Sequence, residues 1–109
     1  MEYQFVVTLI AVTAVASGSA FASGDAVAGK NKSAFCATCH GVTGVSPTDT
    51  WPTLAGQKYG YLVKQMKAFR DGSRKDSLME PMAKSLSDED IENLAAYFSK
   101  QTGVPCTSK

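Results

Sequence analysis

Apolar positions recur with a helical period in two stretches of the chain. In "YGYLVKQMKAFR", residues 59–70, Tyr59, Leu62, Val63, Met66 and Phe69 follow the i, i+3, i+4, i+7 rule. Lys58, Lys64, Lys67 and Arg70 mostly take the other face, and Gly72 is a natural stop. The second stretch opens at Ser87 with "SDED": a capping serine, acids in the first turn, and Asp90 at the capping-box position. Ile91, Leu94, Ala95 and Phe98 then form one stripe with Tyr97 at its edge, and Gly103 and Pro105 end it. The acids from Asp88 to Glu92 read as capping and a solvated face, not as a metal site.

A looser helical pattern covers residues 24–35, "GDAVAGKNKSAF", with Asp25 as a first-turn acid or cap. Gly29 lies inside it. A glycine there costs about 1 kcal/mol against alanine, so it is either tolerated or allows another element to approach closely. Residues 40–52 are turn-rich, punctuated by Gly41, Gly44, Pro47 and Pro52. Residues 73–86 read as a loop with a turn of helix around Ala83, since Pro81 argues against a longer one. No run alternates with a strand period. The chain reads as all-α.

The N-terminus has a different pattern. Residues 5–16, "FVVTLIAVTAVA", are an apolar run too short to span a bilayer, which takes roughly 20 residues. Small residues follow, and "AFA" at 20–22 fits an A-x-A cleavage pattern. Residues 1–22 are predicted to be a cleaved signal peptide, with an uncleaved anchor as the alternative. Residues 23–109 form the mature domain, with a short tail from about 101. Export implies the bacterial periplasm and a soluble chain without stable membrane insertion.

Charge is nearly balanced, with 11 Lys+Arg against 10 Asp+Glu, which excludes a nucleic-acid footprint. A domain this short has a modest core, so a centrally buried cofactor would supply apolar surface that the chain lacks.

The candidate chemistry lies in "AFCATCHG", residues 34–41. It holds Cys36, Cys39 and the single histidine, His40. A structural zinc needs four ligands, usually from two separated pairs, and only one pair exists. A dithiol oxidoreductase wants the pair at the end of a strand in a βαβ pattern, and no strand is present. C-x-x-C-H instead attaches a haem through two thioethers and presents the adjacent histidine to the iron. One haem c per chain is predicted. With no second histidine, methionine is the natural sixth ligand, because a thioether suits iron. Met66 reads as core. Met79 and Met82 lie in the loop before the last helix, where the chain can fold over the far haem face.

Taken together, "GDAVAGKNKSAFCATCHG", "WPTLAGQ", "YLVKQMKAFRDGSR" and "MEPMAKSLSDEDIENLAAYF" resemble a class I c-type cytochrome, nearest the c-four and c-five group of bacterial periplasmic electron carriers. The resemblance spans residues 24–100. It implies a small all-α fold of three to four helices around one covalently attached haem. Only one such unit occurs here, whereas c-four members carry two. By position, the resemblance makes Cys36 and Cys39 the thioether cysteines, His40 the proximal ligand and Met79 the distal ligand, with Met82 as fallback. It makes Pro47 the residue whose carbonyl accepts the histidine's other ring N–H. Trp51 becomes an aromatic near the haem, either donating to a propionate or simply packing. It sets Gly29 where the first and last helices cross, against Tyr97 and Phe98.

The expected function is one-electron transfer between redox protein partners, with no enzymatic activity of its own. The alternatives are a haem subunit of a larger oxidoreductase, or a ligand-binding sensor or peroxidase-like enzyme with a labile methionine. Lys58, Lys64, Lys67, Arg70, Arg74, Lys75 and Lys84 could steer docking onto acidic partners, although the helix stripe explains most of them without a partner. Cys106, in the tail, is a candidate for an intermolecular disulfide and hence a dimer.

Overall fold

The computed structural model describes residues 24–103, together with Ala11. The leader expected over residues 1–22 lies, Ala11 aside, outside the described residues, as does Cys106 with the dimer suggested for it. Among the described residues all regular structure is helical: α1 Ala26–Lys32, a 3-10 turn Ser33–Phe35, α2 Ala37–His40, α3 Tyr59–Asp71, α4 Met79–Lys84 and α5 Asp88–Ser99. None of these helices is long and apolar enough to cross a membrane.

Three elements match the sequence pattern closely. The α1 helix is capped by Asp25, whose carboxylate accepts from the N–H of Val27 and Ala28. The α3 helix ends where expected, with Gly72 in the left-handed conformation. The α5 helix carries a full capping box: Ser87 Oγ accepts from Asp90 N–H, and the Asp90 carboxylate accepts from Ser87 N–H.

Two elements differ. The first helical stretch is not continuous to Phe35. It tightens into the 3-10 turn after Lys32 and restarts as α2, so the cysteine motif occupies its own helical turn. The segment before α5 holds six helical residues. Pro81 fits there because it lies in the first turn, where a missing N–H costs nothing. The helix count therefore exceeds the expected three to four, by division of short elements and not by a change of class.

The core forms where α5 meets its neighbours. Ile91, Leu94, Ala95 and Phe98 are at most 2% exposed, and Leu62 and Leu86 pack against them. Gly29 is buried where α1 crosses α5. A Cβ there would run into the Asn93 carbonyl oxygen and approach Tyr97 Cβ at 2.9 Å. The two backbones touch because glycine removes the side chain between them. The Asn93 side chain secures the same crossing by accepting from Asp25 N–H at 2.7 Å. Tyr97 and Phe98 stack at 5.1 Å in a tilted pair, and the Tyr97 hydroxyl donates to the Val42 carbonyl at 3.1 Å. The loop after the cysteine motif is thereby tied to the last helix.

Candidate functional site

Local helical geometry assembles the motif. His40 N–H and Cys39 N–H both reach the Cys36 carbonyl, at 2.9 and 3.2 Å. Residues at i, i+3 and i+4 share a helix face, so one turn brings Cys36, Cys39 and His40 together. Gly41 then turns the chain away at φ +84, a conformation that favours glycine.

His40 is buried, and its Nδ1 lies 2.8 Å from the Pro52 carbonyl oxygen. A carbonyl only accepts, so Nδ1 carries the hydrogen and the Nε2 lone pair is left free. This is the arrangement of a histidine ligand held by an outer hydrogen bond. The acceptor is Pro52 and not Pro47. Pro47 is exposed and lies on a shallow loop depression of about 410 Å³, away from the cavity that holds the cysteines. The turn-rich loop brings its far end, not its middle, back to the histidine. Trp51 borders both the depression and the cavity.

Burial pushes the Cys36 thiol up to about 11. A half-buried thiol with a raised pKa is the opposite of the lowered-pKa cysteine that dithiol exchange uses. Among the described residues no group of three or more His, Cys, Asp or Glu side chains could hold a metal ion by itself. The raised Cys36 thiol agrees with the sequence argument against dithiol chemistry.

Cys36, Cys39 and His40 open onto a cavity of about 650 Å³, within the range of cofactor sites. Leu62, Met66 and Phe69 of α3 line it, as do Leu94 and Phe98 of α5. Met79 and Met82 of α4 line it too. Met79 is the more enclosed of the two, and Met82 is 37% exposed. Met66, read from sequence as core, is half-buried and also borders the cavity. The donor set therefore fits a haem: two thiols and a tautomer-fixed imidazole from the turn Cys36–His40, an apolar enclosure, and thioethers from a separate element.

The sequence reading missed Gln65, Asp76 and the internal role of Arg74, all of which border the cavity. Arg74 stacks 4.5 Å over the Phe69 ring and donates to Gln65 Oε1 at 2.7 Å. Arg70 donates to Asp88 at 2.7 Å and to the Leu86 carbonyl at 3.2 Å, and Lys75 lies 3.5 Å from Glu80. Three of the seven basic residues read as a docking cluster are thus engaged within the fold. Asp76 accepts from the N–H groups of Met79 and Leu78, which hold its carboxyl below the usual carboxylate range. The spacing of Asp76 and Glu80 ahead of Pro81 was the available signal for a capped helix here.

The family model described as Cytochrome c matches residues 22–102. Cytochrome c4 of Pseudomonas aeruginosa is 47% identical over 85 residues, covering 78% of this chain and 42% of that protein. Cytochrome c-554(548) of Halomonas halodenitrificans is 49% identical over 82 residues, covering 72% of this chain and 99% of that one. A thiosulfate dehydrogenase electron acceptor of Thiomonas intermedia is 41% identical over 70 residues, covering 63% of this chain and 32% of that protein. In structure, reduced recombinant cytochrome c4 from Pseudomonas stutzeri superimposes with a TM-score of 0.72 at 47% identity, covering 74% of this chain and 47% of that one. The chain spans less than half the length of these cytochrome c4 proteins and nearly all of the cytochrome c-554(548). The cysteine-histidine turn, the enclosed cavity and these likenesses converge on one conclusion: the chain belongs to the cytochrome c family, with the class I fold and covalently attached haem c as its cofactor.

Proposed function

We propose that this protein is a one-electron carrier of the bacterial periplasm, working between redox proteins, with His40 and Met79 as its two axial ligands. The observation that carries the reading is that His40 and Met79, from different elements, border the same cavity as Cys36 and Cys39. Haem c bound there supplies reversible one-electron exchange at its iron. Cys36 and Cys39 provide the two attachment sulfurs. His40 offers Nε2 while Pro52 keeps the proton on Nδ1. Met79 offers a thioether, which raises the reduction potential relative to a second imidazole. The apolar lining from α3 and α5 excludes water. If His40 and Met79 both held the iron, no open site would be left for a substrate, which favours a carrier over a peroxidase-like enzyme or sensor.

The partner class that fits is a dehydrogenase or oxidase that exchanges single electrons. The relative named as an electron acceptor of thiosulfate dehydrogenase supports this class. The leader read from sequence over residues 1–22 supports the periplasmic location.

The test is the intact mass and visible spectrum of the exported protein beside Met79→Ala and Met82→Ala. A mass of residues 23–109 plus one haem is expected. The weak far-red band of a ferric iron–methionine bond should be present in the parent and in Met82→Ala, and absent in Met79→Ala. A parent protein without that band, binding added ligands rapidly at neutral pH, would overturn the carrier reading.

A further inference from the structure

We propose that Asp76 is a positioning residue for Met79: its carboxylate fixes the backbone of the segment that presents the thioether, and so keeps the methionine loop closed. This rests on the reading of Met79 as the distal ligand.

Asp76 Oδ1 accepts from Leu78 N–H at 2.9 Å and from Met79 N–H at 2.8 Å. Glu80 N–H donates to the Asp76 carbonyl at 3.0 Å, and Glu80 Oε2 accepts from Asp76 N–H at 3.2 Å. Lys75 Nζ lies 3.5 Å from Glu80 Oε1, an exposed ion pair beside this box. Asp76 and Glu80 thus form a reciprocal box at the entry to α4, with Met79 three residues after Asp76.

The need for the box follows from the rest of the segment. The α4 helix has six residues, far too few to be stable alone. Downstream, Ala83 and Leu86 are buried and anchor it. Upstream, residues 73–78 are all exposed; Arg74 ties the start of this stretch to α3 by stacking on Phe69 and bonding Gln65, and no buried residue fixes the chain between Arg74 and Met79. Hydrogen bonds to Asp76 do that instead.

A thioether competes with any external ligand for the iron. That competition is set by how often the loop opens. Removing a cap typically shifts such an equilibrium by about fivefold, and by about thirtyfold at most. In the ferric holoprotein, Asp76→Ala is therefore expected to weaken the far-red band and to tighten imidazole binding by about five- to tenfold. Asp76→Asn keeps Oδ1 as an acceptor and should stay within about twofold of the parent. Ser87→Ala, which removes the cap of the next helix, α5, and no bond to the segment 76–80, should lower thermal stability while leaving the band and imidazole affinity unchanged. Where Asp76→Ala does not load haem, Asp76→Thr keeps a weaker capping acceptor, and a shift of about threefold is expected.

Parent-like imidazole binding in Asp76→Ala or Asp76→Thr overturns the proposal. So does an equal effect from Ser87→Ala, or a failure of Asp76→Asn to restore the parent values. Met79→Ala, measured alongside, separates the two readings. If it keeps the far-red band, the ligand assignment fails and the role of Asp76 falls with it. If it loses the band while Asp76→Ala is unchanged, the assignment stands and the positioning role alone is wrong.

Discussion

The Nδ1 of His40 lies 2.8 Å from the carbonyl oxygen of Pro52, twelve residues further along the chain. That bond makes the imidazole more basic and favours the ferric state. Pro52→Gly frees a backbone that proline holds near one φ and should loosen the acceptor. Loss of part of one hydrogen bond, weighed against a one-electron couple, raises the reduction potential by roughly 20–50 mV. Pro47→Ala should leave the potential unchanged. Spectroelectrochemical titration of the two variants checks the assignment, and the reverse ranking would reinstate Pro47.

The α1–α5 crossing predicts opposite effects for two glycines. Gly29→Ala places a methyl against the Asn93 carbonyl, a backbone atom that cannot rotate away. The expected cost is about 3 kcal/mol. Gly60→Ala, near the start of α3, meets nothing within 4 Å and should stabilise by about 0.5 kcal/mol. Denaturant unfolding of the holoprotein measures both. A Gly29→Ala variant as stable as the parent would mean that α1 and α5 are not in backbone contact.

The start of α5 should govern part of the acid response. Asp90 is held below the ordinary carboxylate range first by the Ser87 N–H, with Lys32 at 3.5 Å adding to it. Asp88 is lowered chiefly by its bond to Arg70. For a depressed carboxylate the stabilisation is fully present above the unfolded value, about 3.9, and is lost as pH falls through the folded value. Stability should therefore drop below about pH 4. Asp90→Asn should flatten that limb, and Ser87→Ala should cost about 1 kcal/mol near neutrality. Urea midpoints measured across this acid range test both, and an unchanged acid limb in Asp90→Asn would remove the carboxylate from the account.

The internal engagement of Arg74 predicts a split among the basic residues. Arg74→Gln removes a cation stacked on Phe69 at the cavity wall, so it should alter the haem spectrum or thermal stability even without a partner. Lys64→Gln, on an exposed residue of α3, should leave both unchanged and reduce only the salt dependence of electron exchange with an acidic partner. Stopped-flow rates at two ionic strengths, beside thermal melts, separate the two effects.

Much of the molecule was legible from local pattern. The stripe through Leu62, Met66 and Phe69 predicts α3, and Ser87 with Asp90 predicts the start of α5. Both signals involve residues within a turn or two of each other, where spacing alone determines which side chains meet. The same holds for Cys36, Cys39 and His40: one helical turn places them on one face, and their chemistry is restricted before any tertiary contact forms. The α4 helix was harder to read, because its stabilising box joins Asp76 and Glu80 across a segment that Pro81 marks as irregular. Other relationships were not legible at all. That Pro52 and not Pro47 reaches His40 depends on how a turn-rich loop folds back, and both prolines carry the same acceptor. That Arg74 serves the cavity wall depends on where α3 delivers Phe69. That Gly29 is a contact point depends on α5 lying against it, 64 residues away in the chain. Local geometry determines the helices and the thioether-histidine triad. The partners of that triad come from loop closure and helix crossing, which are decided by burial of the whole core at once.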